Sequence, residues 1–280
     1  MITRYWRLLG ALLLAAWTPQ AAAQKIHWAM VDTGLHVGVF TPANKSPVGD
    51  SEITVVKIDP RHYDFQLAEA KQRDGKRRTV EDWCKSEGFL AAVNAGMYSL
   101  KDGLTSDGYM KNGAFVNNPD FKPEYCSFLC FNPTAPGLPP VQIMELCAQT
   151  DPQWAAMNQQ YGGIVQSIRM LNRQGANVWA PAPKMWSMVA WGMDKAGNVL
   201  WLFTRSPYTV HTFINILKQA PLNLHNLMYL EGGPPAALWL AHNGVQLRLV
   251  GSYETNVYEK DDNQRLKKLP NVIGIRKKAR

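Results

Sequence analysis

Two short segments in this 280-residue chain have the residue types and spacing to do chemistry. The first is Asn94-Ala95-Gly96-Met97-Tyr98, which follows the apolar run Phe89–Val93. The second is Glu231-Gly232-Gly233-Pro234-Pro235, which follows the apolar run Leu227–Leu230. In each, a buried strand ends on one polar side chain, and glycine comes next. Glycine there lets a ligand approach bare backbone. A carboxamide and a carboxylate placed at strand ends can hydrogen-bond sugar hydroxyls and move a proton to or from a glycosidic oxygen.

Other signatures are missing. The chain has no G-x-S-x-G, H-E-x-x-H, phosphate-binding P-loop or G-x-G-x-x-G pattern. Its six histidines show no metal spacing, and no cofactor or metal is expected.

The elements that must carry these segments read as an α+β fold. A large mixed β-sheet is flanked by a few helices, in a single domain. Strands are expected at Leu35–Phe40, Ile53–Asp59, His62–Ala68, Phe89–Val93, Val141–Cys147, Ile164–Leu171, Met185–Met193, Val199–Thr204, Leu227–Leu230 and Val245–Val250. Thr79, with Asp82 three residues on, caps a short helix. Pro152 opens another near Trp154–Gln159. Val210, Phe213, Ile214 and Leu217 trace one face of a third, with Ser206-Pro207 as its expected start. Residues 99–140, rich in Gly, Pro, Asn and Asp, read as long functional loops around one or two strands.

Residues 1–23 have the layout of a signal peptide: a basic head, the apolar run Leu8–Trp17, then Ala21-Ala22-Ala23. The run is too short to span a membrane. Periplasmic or extracellular localisation follows. The four cysteines suit such a compartment, and three pairings are open. Cys126–Cys130 with Cys84–Cys147 is the expected one, with buried free thiols as the alternative.

The net charge of +8 belongs to the two ends. Residues 24–259, the expected folded body, hold 20 basic and 20 acidic side chains. That balance argues against nucleic acid as a partner. Residues 260–280 read as a basic, mobile tail, suited at most to touching anionic envelope polymers.

Together the two chemistry-bearing segments resemble the hallmark motifs of the phosphodiester glycosidase domain, the family of N-acetylglucosamine-1-phosphodiester α-N-acetylglucosaminidase and its bacterial exported relatives. The N-G-G-F/Y-type motif stands here as Asn94-Ala95-Gly96-Met97-Tyr98, and the D-G-G-type motif as Glu231-Gly232-Gly233. Thr105-Ser106-Asp107-Gly108 falls where the family has a Gly-rich loop. Gln166–Met170 and the helix Thr209–Gln219 also match by order. The likeness covers roughly residues 30–255. It departs at Glu231 for Asp, at Ala95 and Met97, at Pro234-Pro235, and at Trp186-Ser187-Met188 where an Arg is common.

The resemblance implies an exported hydrolase that cleaves a sugar-1-phosphodiester at the anomeric carbon–oxygen bond, in exopolysaccharide or envelope glycan metabolism. The expected partner is a carbohydrate or sugar-phosphate substrate. Glu231, Asp107 and His211 are the catalytic candidates. Asn94, Gly96, Tyr98, Arg169, Arg205, Gly232 and Gly233 are the substrate-binding candidates, with either arginine for the phosphate. The competing reading is a non-catalytic glycan-binding or envelope-assembly protein on the same fold.

Overall fold

A computed structural model describes residues 25–279, so the expected signal peptide lies outside the described residues. The chain opens with four strands, β1 (His27–Asp32), β2 (Leu35–Phe40), β3 (Ile53–Ile58) and β4 (Tyr63–Glu69). Helix α1 (Val80–Glu87) leads into β5 (Ala91–Asn94). Then come β6 (Met110–Asn112), β7 (Phe115–Asn118), β8 (Cys126–Pro133) and β9 (Val141–Glu145). Helix α2 (Gln153–Gln160) precedes β10 (Tyr161–Leu171), β11 (Trp186–Asp194) and β12 (Val199–Tyr208). Helix α3 (Val210–Gln219) precedes β13 (Leu224–Gly232), β14 (Ala237–His242), β15 (Val245–Val250) and β16 (Asn271–Lys277).

The strands form two sheets. The larger runs β1-β2-β3-β12-β11-β13-β10-β6-β7, with β8 on β10 and β9 on β8; the smaller runs β15-β14-β5-β16-β4. The α+β class with flanking helices holds. The expected single mixed sheet is refined: pairing among these strands is antiparallel, and the strands divide between two sheets.

Alternation along the strands explains the layering. Phe65, Val93, Leu238 and Ile273 of the small sheet pack with Val56, Trp191, Trp201 and Met228 of the large one in a common core. Their alternate neighbours face outward. Ala92, Trp239 and Val272 meet Val80, Trp83 and Cys84 of α1. Val55, Ala190, Leu202 and Leu227 meet Phe213, Ile214 and Leu217 of α3. Two apolar faces per strand pair, each covered, give an α-β-β-α sandwich.

The structure corrects three expectations. The tail is not mobile from residue 260 on. Asn271–Lys277 is an inner strand of the small sheet, paired with β4 on one side and β5 on the other. Its apolar stretch Val272-Ile273-Gly274-Ile275 is buried, and its basic residues reach partners: Lys277 pairs with Asp32 at 2.6 Å, and Lys278 with Asp64 at 3.8 Å.

The disulfide is Cys126–Cys147, while Cys84 and Cys130 are free and buried. Cys126 and Cys130 lie four residues apart on β8, roughly 13 Å along an extended strand, too far to bond. Cys147 follows β9, which pairs with β8, and that brings its Cα within 4.4 Å of Cys126. The third helix starts later than expected. Ser206-Pro207 continues β12, and Thr209 caps α3 by accepting from the Thr212 N–H.

Candidate active site

β13 ends inside the large sheet, between β11 and β10, and delivers Glu231 there. The carboxylate is buried, and among the described residues its only hydrogen bond is local, from the Gly232 N–H to Oε1 at 3.1 Å. Burial pushes Glu231 up to about 8, and the nearby carboxylates of Glu254 and Asp107 add to the rise. The group therefore holds its proton at neutral pH.

The two glycines after it are enforced by their surroundings. A Cβ on Gly232 would sit 2.0 Å from the Tyr229 hydroxyl oxygen and 2.4 Å from the Trp186 ring. Gly233 has φ +64°, and a Cβ there would meet Glu254 Oε2 at 2.4 Å. The Glu-Gly-Gly segment thus leaves bare backbone beneath Tyr229, Trp186 and Glu254.

Asp107 comes from the loop after the first motif. That loop is laced by Asp107 N–H to the Met97 carbonyl at 2.9 Å, Ser99 N–H to the Thr105 carbonyl at 2.8 Å, and a Tyr98–Ser106 bridge. Tyr125 donates its hydroxyl to Asp107 Oδ2, and Lys122 Nζ lies 3.8 Å from Oδ1. Tyr98 flanks the same place. Burial and the Glu231 charge raise its hydroxyl pKa, while Arg77 lies against it and opposes the rise. Gly96 stands at φ +97°, a conformation that favours glycine, and lets the chain turn from β5 into this loop.

The cluster is therefore Glu231, Asp107 and Glu254, ringed by Tyr98, Tyr125, Tyr229 and Trp186. Sequence reading missed Glu254. It reaches the site because Ser187, fully buried, takes the N–H groups of Ser252 and Tyr253 on its hydroxyl and ties that segment to β11. Burial also raises the Glu254 pKa. The one sequence sign was the unusual Trp186-Ser187 pair in β11.

Four other candidates sit differently from expectation. Asn94 does meet the second motif, but as a clamp. Its Nδ2 donates to the Pro235 carbonyl at 3.1 Å, and its Oδ1 accepts from Ala237 N–H at 2.8 Å. It is almost fully buried, so its role is to join the two motif loops.

Arg205 is spent elsewhere. It donates to the carbonyls of Val250, Asn263 and Asp261 and pairs with the Asp261 carboxylate at 2.7 Å, holding the C-terminal segment on β12. His211 turns its Nδ1 to the Trp179 carbonyl at 2.6 Å. It therefore positions Trp179, whose ring packs against Tyr229 at 5.7 Å between centroids. Arg169 pairs with Glu145 at 3.2 Å and, with Trp179 and Cys126, lines an adjoining cleft of about 370 Å³.

A family model described as phosphodiester glycosidase matches residues 87–276, from the end of α1 through β16. The chain belongs to the phosphodiester glycosidase family.

Among solved structures, the catalytic domain of zebrafish N-acetylglucosamine-1-phosphodiester α-N-acetylglucosaminidase, auto-inhibited by its pro-peptide, is similar in fold. Its TM-score is 0.59 at 13% identity, over 90% of this chain and 88% of that one. A hypothetical protein from Synechocystis matches with TM-score 0.57 at 12% identity, over 91% of this chain and 64% of that one. A putative exported protein from Burkholderia pseudomallei matches with TM-score 0.51 at 9% identity, over 98% and 100%. No curated protein matches by sequence. The family match extends past residue 260, in agreement with β16 being part of the domain.

Proposed function

We propose that this protein hydrolyses a sugar-1-phosphodiester by breaking the bond between the anomeric carbon and the phosphate oxygen. The observation that carries this is Glu231: a carboxyl buried at a strand end, kept protonated by its surroundings, beside two glycines where a Cβ would collide with Tyr229, Trp186 and Glu254. An ionised carboxylate would repel a phosphodiester anion. A neutral one can donate to its bridging oxygen.

Glu231 gives its proton to the departing phosphate oxygen as the carbon–oxygen bond breaks. Asp107, held by Tyr125 and Lys122, faces the positive charge that builds on the sugar ring. A water adds to the anomeric carbon and passes its proton to a carboxylate of the cluster. Arg77, beside Tyr98, and Arg169, in the adjoining cleft, are the cations for the phosphate. Two carboxyls whose environments differ in this way can divide the acid and electrostatic roles.

Export fits this reading. The leader-like residues 1–23 and the Cys126–Cys147 disulfide both suit an oxidising compartment, where envelope glycans or exopolysaccharides would be the substrates. Among the described residues, no helix is long and apolar enough to cross a membrane.

The test is release of free sugar from a panel of sugar-1-phosphodiesters by the parent protein and by Glu231→Gln. The parent is expected to turn over with kcat/KM falling as pH rises through about 8. The variant should lose about 10²–10⁴-fold while still binding substrate. Saturable glycan binding without turnover would favour the binding-protein reading instead.

A further inference from the structure

Beneath the Asp107 loop lies a second polar cluster, which the reaction above does not use. Glu69, at the end of β4, has no exposed surface, and among the described residues neither of its carboxylate oxygens has a hydrogen-bond partner within 3.5 Å. Directly opposite in register is Asn271, the first residue of β16, whose Oδ1 is also buried and unpartnered. The Asn271 amide leans on the Leu104 carbonyl at 3.5 Å, which sets it against the loop that holds Ser106. Ser106 Oγ is the fourth buried oxygen without a partner.

Asn117 closes the ring. Its Oδ1 accepts from the Ser106 N–H at 2.8 Å, which fixes its amide, and its Nδ2, like the amide of Asn112, is turned toward the Glu69 carboxyl. All four residues are more than nine-tenths buried. Buried polar atoms left without partners are costly unless something lies between them.

We infer that Glu69, Ser106 and Asn271 form a buried site for a monovalent hard cation of sodium size. The donor set is oxygen only, which selects hard cations over zinc or copper. It carries a single carboxylate. A monovalent ion gives a neutral pair in this low-dielectric setting, whereas a divalent ion would leave one buried positive charge unmatched.

The neighbouring cations are engaged elsewhere. Lys71 bonds Thr105 and faces Asp102 at 3.6 Å, and Arg73 pairs with Glu87 at 3.2 Å. The ion joins β4, β16 and the residue preceding Asp107, so it braces the floor of the candidate active site. The inference does not depend on the proposed reaction.

The test is thermal unfolding of the purified protein at pH 8 and constant ionic strength. Sodium chloride, tetramethylammonium chloride and calcium chloride would be compared. Sodium should raise Tm saturably by about 5 °C over tetramethylammonium, which is too large to enter. Glu69→Gln should fold and show the same Tm in both salts. Ser106→Ala, which removes one ligand and leaves the carboxylate, should need more sodium for the same shift. Asn271→Asp should transfer the preference to calcium.

Equal Tm in all three salts for the parent would overturn the site, in favour of a protonated Glu69 bridged by water. A larger shift with calcium than with sodium in the parent would overturn the monovalent assignment.

Discussion

Glu231 links the chemistry of the site to the stability of the fold. Its folded pKa, about 8, lies above the ordinary value of 4.5. Between those values the folded state keeps a proton that the unfolded chain releases, so raising the pH favours unfolding. Its stabilising contribution is complete below about pH 4.5 and is lost by about pH 8. Glu231→Gln should flatten this part of the profile and be more stable than the parent at pH 8, by on the order of a few kcal/mol. Urea titrations of both proteins at pH 5 and pH 8 measure the difference; parallel profiles would place Glu231 in a wetter setting than the structure gives it.

Asn94 makes a different residue-scale prediction. Its removal strands the Pro235 carbonyl and the Ala237 N–H inside the protein. Asn94→Ala should cost about 2–3 kcal/mol in denaturant unfolding, whatever happens to activity. A stable variant with a raised KM alone would restore the substrate-binding role.

The elements explain why the site forms where it does. β5 and β13 belong to different sheets, yet both end on the same side, and the Asn94 clamp fastens the loops that leave them. β16 lies next to β5 and pairs Val272 with Asn94. It also fills the centre of the small sheet, so its loss would expose the edges of β4 and β5 and open the inter-sheet core. Truncation before Asn271 should therefore abolish the folded state, read as loss of near-ultraviolet circular dichroism and of soluble protein. A folded, soluble truncation would show that β16 is dispensable.

At the scale of the whole molecule, the two sheets share one apolar core. Trp191 and Trp201 of the large sheet sit in it, 5.6 Å apart between ring centroids, and Trp191 packs on Phe65 of the small sheet at 5.5 Å. Neither sheet can expose that face alone without losing the burial that stabilises it. Tryptophan fluorescence and far-ultraviolet circular dichroism should report one coincident unfolding transition. Two separated transitions would mean that the sheets fold as independent units.

Much of this was legible in the chain. Strands with clear alternation, such as Leu35–Phe40 and Ile53–Ile58, and the amphipathic α3 were readable because side-chain period follows backbone geometry. The two motifs were readable because a polar residue followed by glycine at a strand end is a local pattern. β8 and β16 were hidden, because Gly, Pro and Asn around one and lysines around the other masked short apolar cores.

The sequence alone determined the family, the α+β class and the position of Glu231 at a strand end, since each rests on residues near one another in the chain. Tertiary structure alone decided the partners. It put Glu254 beside Gly233, Cys147 beside Cys126 and Asn271 opposite Glu69, and it turned Arg205 and His211 to other work. Those contacts join distant parts of the chain, and they are set by which strands pair and which faces pack, quantities that no local pattern encodes.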